Sequence, residues 1–368
     1  MDALTTPLNW EKVRLGDIFF ITAGGDLSKP HYSNTKQSDF NYPIYSNAIE
    51  KKGLYGYSSF FIIKNKSITI TSRGTIGVAF FRDYPYVPIG RLLVLQPKIS
   101  NIDCRFYTEY INSKVKFNTE QTTIPQLTIP KVALCEIPLP PLNEQIAIAN
   151  VLSDVDHYLC SLDALIIKKE SVKKALSFEL LSQRKRLKGF NQNWQKVRLG
   201  DICEITTGSL DANEMVHYGK YRFYTCAKEY YFIDKYAFDT EAILISGNGA
   251  YVGYVHYYKG KFNAYQRTYV LDNFSEHIIF VKYFLTMFLQ SHIQTNKNEG
   301  NTPYIVMATL KDFEIPLPPL NEQAAIANIL SDLDHEIISL KNKKRQFENI
   351  KKALNHDLMS AKIRVLKK

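Results

Sequence analysis

The sequence Ile137-Pro-Leu-Pro-Pro-Leu-Asn-Glu-Gln145 returns unchanged at Ile315–Gln323, 178 residues further along the chain. Upstream of each copy lies a second matching stretch, Trp-Glu-Lys-Val-Arg-Leu-Gly-Asp-Ile from Trp10 and Trp-Gln-Lys-Val-Arg-Leu-Gly-Asp-Ile from Trp194. Both offsets are close to half of the 368 residues. A period of that size is far above the ~20–50 residues of solenoid repeats, so it indicates two duplicated domains.

The two copies differ between these anchors, which predicts that they perform two versions of one task. Both regions, residues 10–142 and 194–320, contain short β-like runs broken by Gly, Asn and Pro, and we expect helices near Phe106–Lys116 and Ile278–Gln290. The β-like runs include Phe60–Ile63, Ser67–Thr71, Val78–Phe81, Leu92–Leu95, Ala242–Ser246 and Tyr265–Leu271. Weak matches align Tyr42–Asn47 with Tyr221–Cys226, Thr75–Gly77 with Tyr251–Gly253, and Arg91 with Arg267.

Residues 143–187 and 321–365 contain no Gly or Pro, which predicts two long helices that Asn143 and Asn321 are placed to cap. Apolar residues recur along both with 3-4 spacing, near the 3.5-residue period of a coiled coil. An amphipathic helix packed on its own module is the alternative. The apolar seam positions are Leu152, Val155, Leu159, Leu162, Ile166, Leu176 and Leu180 in the first helix and Leu330, Leu333, Ile337, Leu340, Phe347, Leu354 and Leu358 in the second. The polar seam positions are Lys169, Lys173, Lys344 and Lys351.

The predicted fold class is α+β, with two mostly-β modules separated by a long antiparallel two-helix coiled coil and related by a pseudo-two-fold internal repeat. The expected domain boundaries are 1–142 for the first module, 143–188 for the first helix, 189–320 for the second module and 321–368 for the second helix. Pairing within one chain would then hold the modules at opposite ends of a rod.

Composition indicates a globular chain without a membrane helix. No apolar run approaches ~18 residues, and Met1 to Trp10 lack the features of a signal peptide, so we expect a cytoplasmic protein. Five cysteines without a Cys-x-x-Cys pair argue against disulfides and zinc. The net charge of +10 permits a polyanionic partner, although residues 191–320 carry 12 basic and 13 acidic groups.

Motifs for catalysis are missing from the sequence. There is no phosphate-binding loop, no dinucleotide fingerprint and no His-Glu-x-x-His motif, and the glycines at 247, 249 and 253 have the wrong spacing. A nuclease-like set of Asp39, Glu50 and Lys52 is of a kind that occurs by chance. We therefore predict a protein that is not an enzyme and binds no metal or cofactor itself.

The duplicated Leu-Pro-Pro-Leu-Asn-Glu-Gln, followed each time by an amphipathic helix, resembles the specificity (S) subunit of type I restriction–modification systems, over essentially the whole chain. The resemblance implies that each module is a target recognition domain reading one half of a bipartite sequence in double-stranded DNA. It implies that the helices set the spacing and dock two methyltransferase (M) subunits, which use S-adenosylmethionine to methylate adenine N6. Restriction (R) subunits would add cleavage that requires ATP and magnesium.

Candidate DNA-binding residues lie in loops that follow β-like runs. Arg73 is suited to guanine or phosphate, Asn248 to adenine, and Tyr251 to stacking or phosphate, although a turn or surface hydrogen bond is at least as good an explanation for each. The full set is Ser46, Asn47, Ser72, Arg73, Gly74, Thr75, Arg91, Thr123 and Gln126 in the first module and Lys228, Asn248, Tyr251 and Arg267 in the second. The basic clusters at 184–186 and 362–368 are further phosphate candidates.

Other classes of function stay open at this point. The chain is alternatively a stand-alone DNA-binding or architectural protein, or an interaction scaffold whose modules bind something other than nucleic acid. The near-neutral second module favours the scaffold. An intrinsic nuclease or methyltransferase is the reading with least support, because its motifs are missing.

Overall fold

The computed structural model describes residues 10–117, 125–296 and 303–365 and divides the chain into two compact units. Unit 1 comprises residues 1–163 and 342–368, and unit 2 comprises residues 164–341. Each unit therefore contains one β-rich module together with part of each long helix.

In the described residues, unit 1 builds its module from short strands, three short α-helices and two single-turn 3-10 helices, Lys29–His31 and Glu50–Gly53. A two-stranded ribbon pairs β1 with β10, one sheet has the order β2-β9-β6-β7, and another has the order β3-β5-β4-β8. The elements are β1 (Glu11–Arg14), α1 (Leu15–Ile18), β2 (Phe19–Ala23), β3 (Tyr32–Ser33), β4 (Tyr42–Tyr45), β5 (Leu54–Ser58), β6 (Ser67–Ile70), β7 (Ala79–Arg82), β8 (Val87–Pro88), β9 (Leu93–Pro97), α2 (Cys104–Lys114), α3 (Ile129–Ala133), β10 (Glu136–Leu139) and the first part of α4 (Leu142–Leu181).

Unit 2 repeats this order of elements but joins its strands into one six-stranded sheet. The sheet order is β12-β17-β15-β16-β13-β14, beside a ribbon of β11 and β18. The elements are β11 (Gln195–Arg198), α5 (Leu199–Ile202), β12 (Glu204–Thr207), β13 (Tyr221–Tyr224), β14 (Tyr231–Ile233), β15 (Phe238–Ser246), β16 (Val255–Ala264), β17 (Thr268–Asp272), α6 (Ile278–Asn296), α7 (Met307–Lys311), β18 (Glu314–Leu317) and the first part of α8 (Leu320–Met359).

The difference between the two modules is traceable to a proline. In unit 1 the chain leaves β7 at Arg82 and passes Pro85 before it re-forms as β8, which pairs parallel with β4. Proline has no N–H for a ladder and interrupts central strands. Unit 2 has Lys259-Gly-Lys261 in the corresponding stretch, so β16 runs through and its far end pairs parallel with β13.

The two repeated motifs of each module meet in one structure, which we call the closing ribbon (β1 with β10 in unit 1, β11 with β18 in unit 2). Val13 lies opposite Ile137, and Val197 lies opposite Ile315. Position 16, just after the first strand, requires a glycine, because a Cβ there would lie 2.9 Å from the Cβ of Ala133. The two repeated motifs, at the start and the end of each module, are therefore alike in both copies because they pair with each other in the closing ribbon.

The Asn-Glu-Gln of the repeated motif fixes the start of α4. The amide of Gln145 donates to Pro140 O (2.8 Å) and accepts from Asp103 N (2.9 Å), tying the helix to the loop before α2. Glu144 is buried and accepts hydrogen bonds from Trp10 Nε1 (3.1 Å) and Arg364 Nη2 (2.9 Å).

Unit 2 contains the equivalent buried ion pair. Arg186, which follows the end of α4, donates to both carboxylate oxygens of Glu322 at 2.9 and 2.8 Å. Arg186 and Arg364 were candidates for phosphate contact within their basic clusters. Both guanidinium groups are engaged by these carboxylates, so neither is a free cation for a phosphate.

Two local predictions were wrong. Phe60–Ile63 is not a strand: Ser58 Oγ accepts from Phe60 N (3.2 Å) and turns the chain, which leaves Ile62 56% exposed. The helix caps were also misplaced by two positions: α4 and α8 already begin at Leu142 and Leu320, so Pro141 and Pro319 hold the cap positions and the two asparagines lie in the first turn. The helices predicted near Phe106–Lys116 and Ile278–Gln290 are present as α2 and α6.

The coiled-coil prediction is confirmed within each unit. As residue numbers rise along α4 those of the contacting positions on α8 fall, which is antiparallel pairing; in unit 1 the rings of Tyr158 and Phe347 lie 4.6 Å apart. Every predicted apolar seam position is buried or half-buried. The fully buried ones are Leu152, Leu162, Ile166, Leu180, Leu330, Ile337 and Leu358, and the half-buried ones are Val155, Leu159, Leu176, Leu333, Leu340, Phe347 and Leu354.

The lysines in the seam are paired with acids of the opposite helix. In unit 1 Lys344 meets Asp163 at 2.6 Å and Lys351 meets Asp156 at 2.7 Å. In unit 2 Lys169 meets Glu336 at 2.8 Å, and Lys173 pairs with Asp334. Polar seam residues that find partners in only one alignment fix register and orientation at some cost in stability.

We expect Leu159→Asp combined with Ile337→Asp to destabilise the helix pair by about 3 kcal/mol or more, because each places an unpaired carboxylate in an apolar seam. Urea titration followed by circular dichroism measures the change. Ile167→Asp is the matched control, since Ile167 is 64% exposed and such substitutions change stability by about 0.5 kcal/mol or less. Equal effects of the seam and control variants would contradict the coiled-coil account.

The Lys173–Asp334 pair predicts a pH dependence. Burial alone would raise the pKa of Asp334, but hydrogen bonds from Lys173 and Tyr283 outweigh it and hold that pKa below its usual range. The pair therefore stabilises unit 2 above about pH 4, and this contribution is lost as pH falls through the lowered pKa.

Asp334→Asn should accordingly reduce the free energy of unfolding by about 1–2 kcal/mol at neutral pH, a value discounted for partial exposure. The deficit should shrink below about pH 4. Urea titrations across pH provide the measurement, with the exposed Asp332→Asn as control. A deficit that is independent of pH would contradict the assignment.

Candidate functional site

Each module has a loop at the same place in its sheet, which we call corner loop 1 (residues 71–78, between β6 and β7) and corner loop 2 (residues 246–254, between β15 and β16). Both are closed by the same main-chain hydrogen bonds: Thr71 N to Val78 O (3.0 Å) and Ser246 N to Tyr254 O (3.0 Å). Both reverse at a glycine with positive φ, Gly77 (+87°) and Gly253 (+80°). The weak sequence match between these loops thus corresponds to one structural position.

Corner loop 1 brings several of the predicted residues together. Arg73, Gly74 and Thr75 are exposed at its tip, and Arg73 Nη2 donates to Gln126 Oε1 at 3.4 Å. Leu127 N donates to Ser72 O at 2.9 Å, so the segment after residue 124 forms the side of the loop. Thr123 lies outside the described residues.

Asn47 and Arg91 come from two neighbouring loops and contact Ser72 of corner loop 1, and Ser46 precedes Asn47 in its loop. The amide of Asn47 bonds to Ser72 and to Gly90 O, and Ser72 Oγ donates to Arg91 O at 2.7 Å. Ser72 is fully buried and Asn47 is half-buried, whereas Arg91 is exposed. The side chains of Asn47 and Ser72 thus form hydrogen bonds inside the module, beneath the exposed Arg73 and Arg91.

Corner loop 2 has a different side-chain set on the same frame. Gly249 N donates to Pro303 O (2.9 Å) and Ile305 N donates to Gly247 O (2.9 Å), so the segment from residue 303 pairs with the loop. Asn248 lies opposite Tyr304 in this pairing. Asn248 is half-buried and Tyr304 is 37% exposed.

Lys228 and Tyr251 meet beside this loop. The Lys228 ammonium lies 5.1 Å from the centroid of the Tyr251 ring, which is 43% exposed. Arg267 is exposed, and its carbonyl accepts from Gly247 N at 2.8 Å. The four residues predicted in the second module therefore lie in or beside corner loop 2, as Asn47, Ser72, Arg73 and Gln126 lie in or beside corner loop 1.

The numbers of charged residues differ between the two sequence segments that contain the corner loops. Between positions 51 and 102 the sequence has eight basic residues and one acidic residue, whereas positions 226–277 have five basic and six acidic residues. In unit 1 six of these cations are exposed and make no ion pair in the described part of the chain: Lys51, Lys52, Lys64, Lys66, Arg73 and Arg91. In unit 2 three lysines are paired: Lys235 with Glu214, Lys259 with Glu241 and Lys261 with Asp239. The exposed surface of unit 1 is thus suited to a polyanion through charge, whereas corner loop 2 offers hydrogen-bonding groups and rings.

Tyr304 and His256 belong to the second corner but were missed by sequence reasoning. Tyr304 was detectable, because the 178-residue offset of the repeated motif also aligns it with Gln126. His256 Nε2 bonds to Ala227 O at 2.8 Å beneath the turn that carries Lys228. Burial lowers the pKa of His256 despite that bond, so its imidazole is neutral at physiological pH.

Among the described residues, no three His, Cys, Asp or Glu side chains are placed to hold a metal ion. Nor does any described helix combine the length and apolar character that a membrane crossing requires.

Comparison with known proteins gives a consistent match in both halves. A family model described as "Type I restriction modification DNA specificity domain" matches residues 7–169 and again residues 191–349. The chain is 37% identical to the type I restriction enzyme EcoDI specificity subunit of Escherichia coli over 171 residues, which are 46% of this chain and 37% of that one.

Two further matches span almost the whole length. The type I restriction enzyme MjaVIII specificity subunit of Methanocaldococcus jannaschii is 25% identical over 418 residues, covering 99% of this chain and 95% of that one. The fold is similar to a crystal structure of a type I restriction–modification system S subunit from M. genitalium, with a TM-score of 0.69, 19% identity and 97% of each chain covered.

Proposed function

We propose a function from one premise, that the chain belongs to the type I restriction–modification DNA specificity family. In this proposal it is the non-catalytic subunit that selects the DNA sequence. Residues 1–142 and 189–320 are its target recognition domains, and residues 143–188 and 321–368 are the helices that space them.

The observation that carries the proposal is the pair of corner loops. Two modules with the same frame present different side chains at the same position, Arg73 with Gln126 in one and Asn248 with Tyr304 in the other. Guanine offers two acceptors to an arginine in the major groove, and adenine offers a donor and an acceptor to an asparagine. Two unlike corners therefore read two unlike half-sites, and the complete site is asymmetric.

The difference in charge between the two modules supports different contributions from each to the affinity for DNA. Phosphate contacts supply most of the salt-sensitive affinity for DNA, whereas base contacts supply sequence discrimination. The six exposed lysines and arginines of unit 1 that make no ion pair in the described residues support a large phosphate contribution from the first module. The rings and amide of corner 2 support recognition that depends less on salt.

The proposed partners are those that membership of the family implies. Two M subunits dock on the helices and use S-adenosylmethionine to methylate adenine N6 on DNA in the cytoplasm, and R subunits use ATP and magnesium for restriction. Forty residues at ~1.5 Å per residue make α4 roughly 60 Å long. A spacer of up to that length corresponds to half-sites up to about 18 base pairs apart at ~3.4 Å per pair.

Sequencing the methylated bases of a host that carries the intact system tests the proposal. We expect N6-methyladenine in a gapped site whose two halves differ, because the two corners differ. A strain without this chain is the control and should lack that methylation. A palindromic or ungapped modified site, or unchanged methylation without the chain, would contradict the proposal.

Substitutions at the corner loops test which half-site each module reads. Arg73→Ala should weaken binding of the assembled complex about 10- to 100-fold, in line with ~1–3 kcal/mol for a bidentate base contact, and should relax the first half-site. Asn248→Ala should do the same for the second. Fluorescence anisotropy at several salt concentrations measures both effects.

The salt dependence separates the two kinds of contact. If Arg73 binds a phosphate, its loss lowers the salt slope by about 1 without a change in base preference. The exposed Lys12→Ala and Asn193→Ala are controls in the respective modules. Unchanged affinity and preference in both corner variants would remove these residues from the interface.

A further inference from the structure

Corner loop 1 is held by a side chain from a separate loop. Asn47 Oδ1 accepts from Ser72 N (2.7 Å) and lies 3.3 Å from Ser72 Oγ, while Asn47 Nδ2 donates to Gly90 O (2.6 Å). One amide thus joins three loops, which carry Asn47 itself, Arg73 and Arg91. Most of its hydrogen-bonding capacity is used inside the module.

The loop that supplies Asn47 is itself firmly held. Its ends are joined by Ser46 N to Gly53 O at 2.9 Å. Beneath it the fully buried guanidinium of Arg82 donates to Lys52 O and to Thr69 Oγ1 (3.2 Å). A buried arginine needs such acceptors, because an unsatisfied buried cation is costly. These hydrogen bonds hold the loop that carries Asn47 in one conformation.

Arg73 and Arg91 are the exposed residues whose positions depend on this contact. Arg73 directly follows Ser72, whose main-chain N–H is bound by Asn47. Arg91 directly follows Gly90 and has a left-handed backbone conformation (φ +63°), which residues other than glycine seldom adopt. The amide thus fixes the spacing between the two arginines without facing solvent as they do.

The described residues of the second module contain no equivalent amide contact. Cys226 stands where Asn47 stands, and its thiol lies 3.2 Å from Arg267 O and 3.9 Å from Thr268 Oγ1. Gly247 stands where Ser72 stands and bonds to Arg267 O through its own N–H. Corner loop 2 is therefore held by its main chain, and its geometry does not depend on an equivalent amide.

We propose that Asn47 is a positioning residue that sets the base preference of the first half-site without contacting DNA. The inference rests on the proposed function, because it assigns a means of specificity to the same corner. A side chain that fixes the separation of two base- or phosphate-binding arginines changes which bases both can reach together.

The experiment is methylation of a randomised DNA library by the full complex with its cognate M subunits, with the modified sites then sequenced. Asn47→Ala should reduce discrimination at one or more positions of the first half-site about tenfold, the scale of one weakened base contact. Preference in the second half-site should be unchanged. Asn65→Ala, an exposed asparagine of unit 1, is the matched control and should behave as wild type.

Asn47→Asp refines the assignment and serves if the alanine variant fails to assemble. The aspartate keeps the acceptor for Ser72 N but replaces the donor to Gly90 O with a second acceptor, so it too should alter the first half-site alone. Unchanged preference in the variants would overturn the proposal, and so would equal losses in both half-sites together with a lower Tm. Wild-type complex that methylates no gapped site would instead refute the proposed function itself.

Discussion

The closing ribbon is the constraint on which the rest of each unit depends. It pairs the first strand of a module with the strand that leads into a long helix, so that the two ends of the module are fixed side by side. The buried pair of Glu144 with Arg364, and that of Glu322 with Arg186, then bind the start of one helix to the segment after the end of the other. The module and the helix pair of each unit are therefore joined by the same kinds of contact, made by residues that occur in both copies.

Within this frame the helix seam combines two kinds of interaction. Buried leucines and isoleucines supply most of the stability through removal of apolar surface from water. The seam lysines contribute alignment, because Lys351 meets Asp156 and Lys173 pairs with Asp334 only in the antiparallel arrangement. An ion pair that replaces apolar packing seldom adds stability, so its value here lies in specifying one register.

The sequence alone predicted the features that have a period or a repeat. The helices and their seam followed from 3-4 spacing, and the common frame of the modules followed from the two motifs. Local contacts defeated the prediction at Phe60–Ile63, where a serine turns the chain. Long-range contacts were beyond reach: nothing in the pattern pairs Glu144 with a residue 220 positions away, or buries Arg82 beneath the Asn47 loop. The division of one sheet into two at Pro85 was readable only in retrospect.

The pairing of Val13 with Ile137 also has an evolutionary meaning. Because the ribbon brings both ends of a module together, the intervening hundred or so residues are topologically an insert, and the cost of closing such a loop grows only slowly with its length. Recombination between genes that share the ribbon sequences would exchange the whole insert in one event. A lineage could thus acquire a new recognition sequence without having to evolve a new fold.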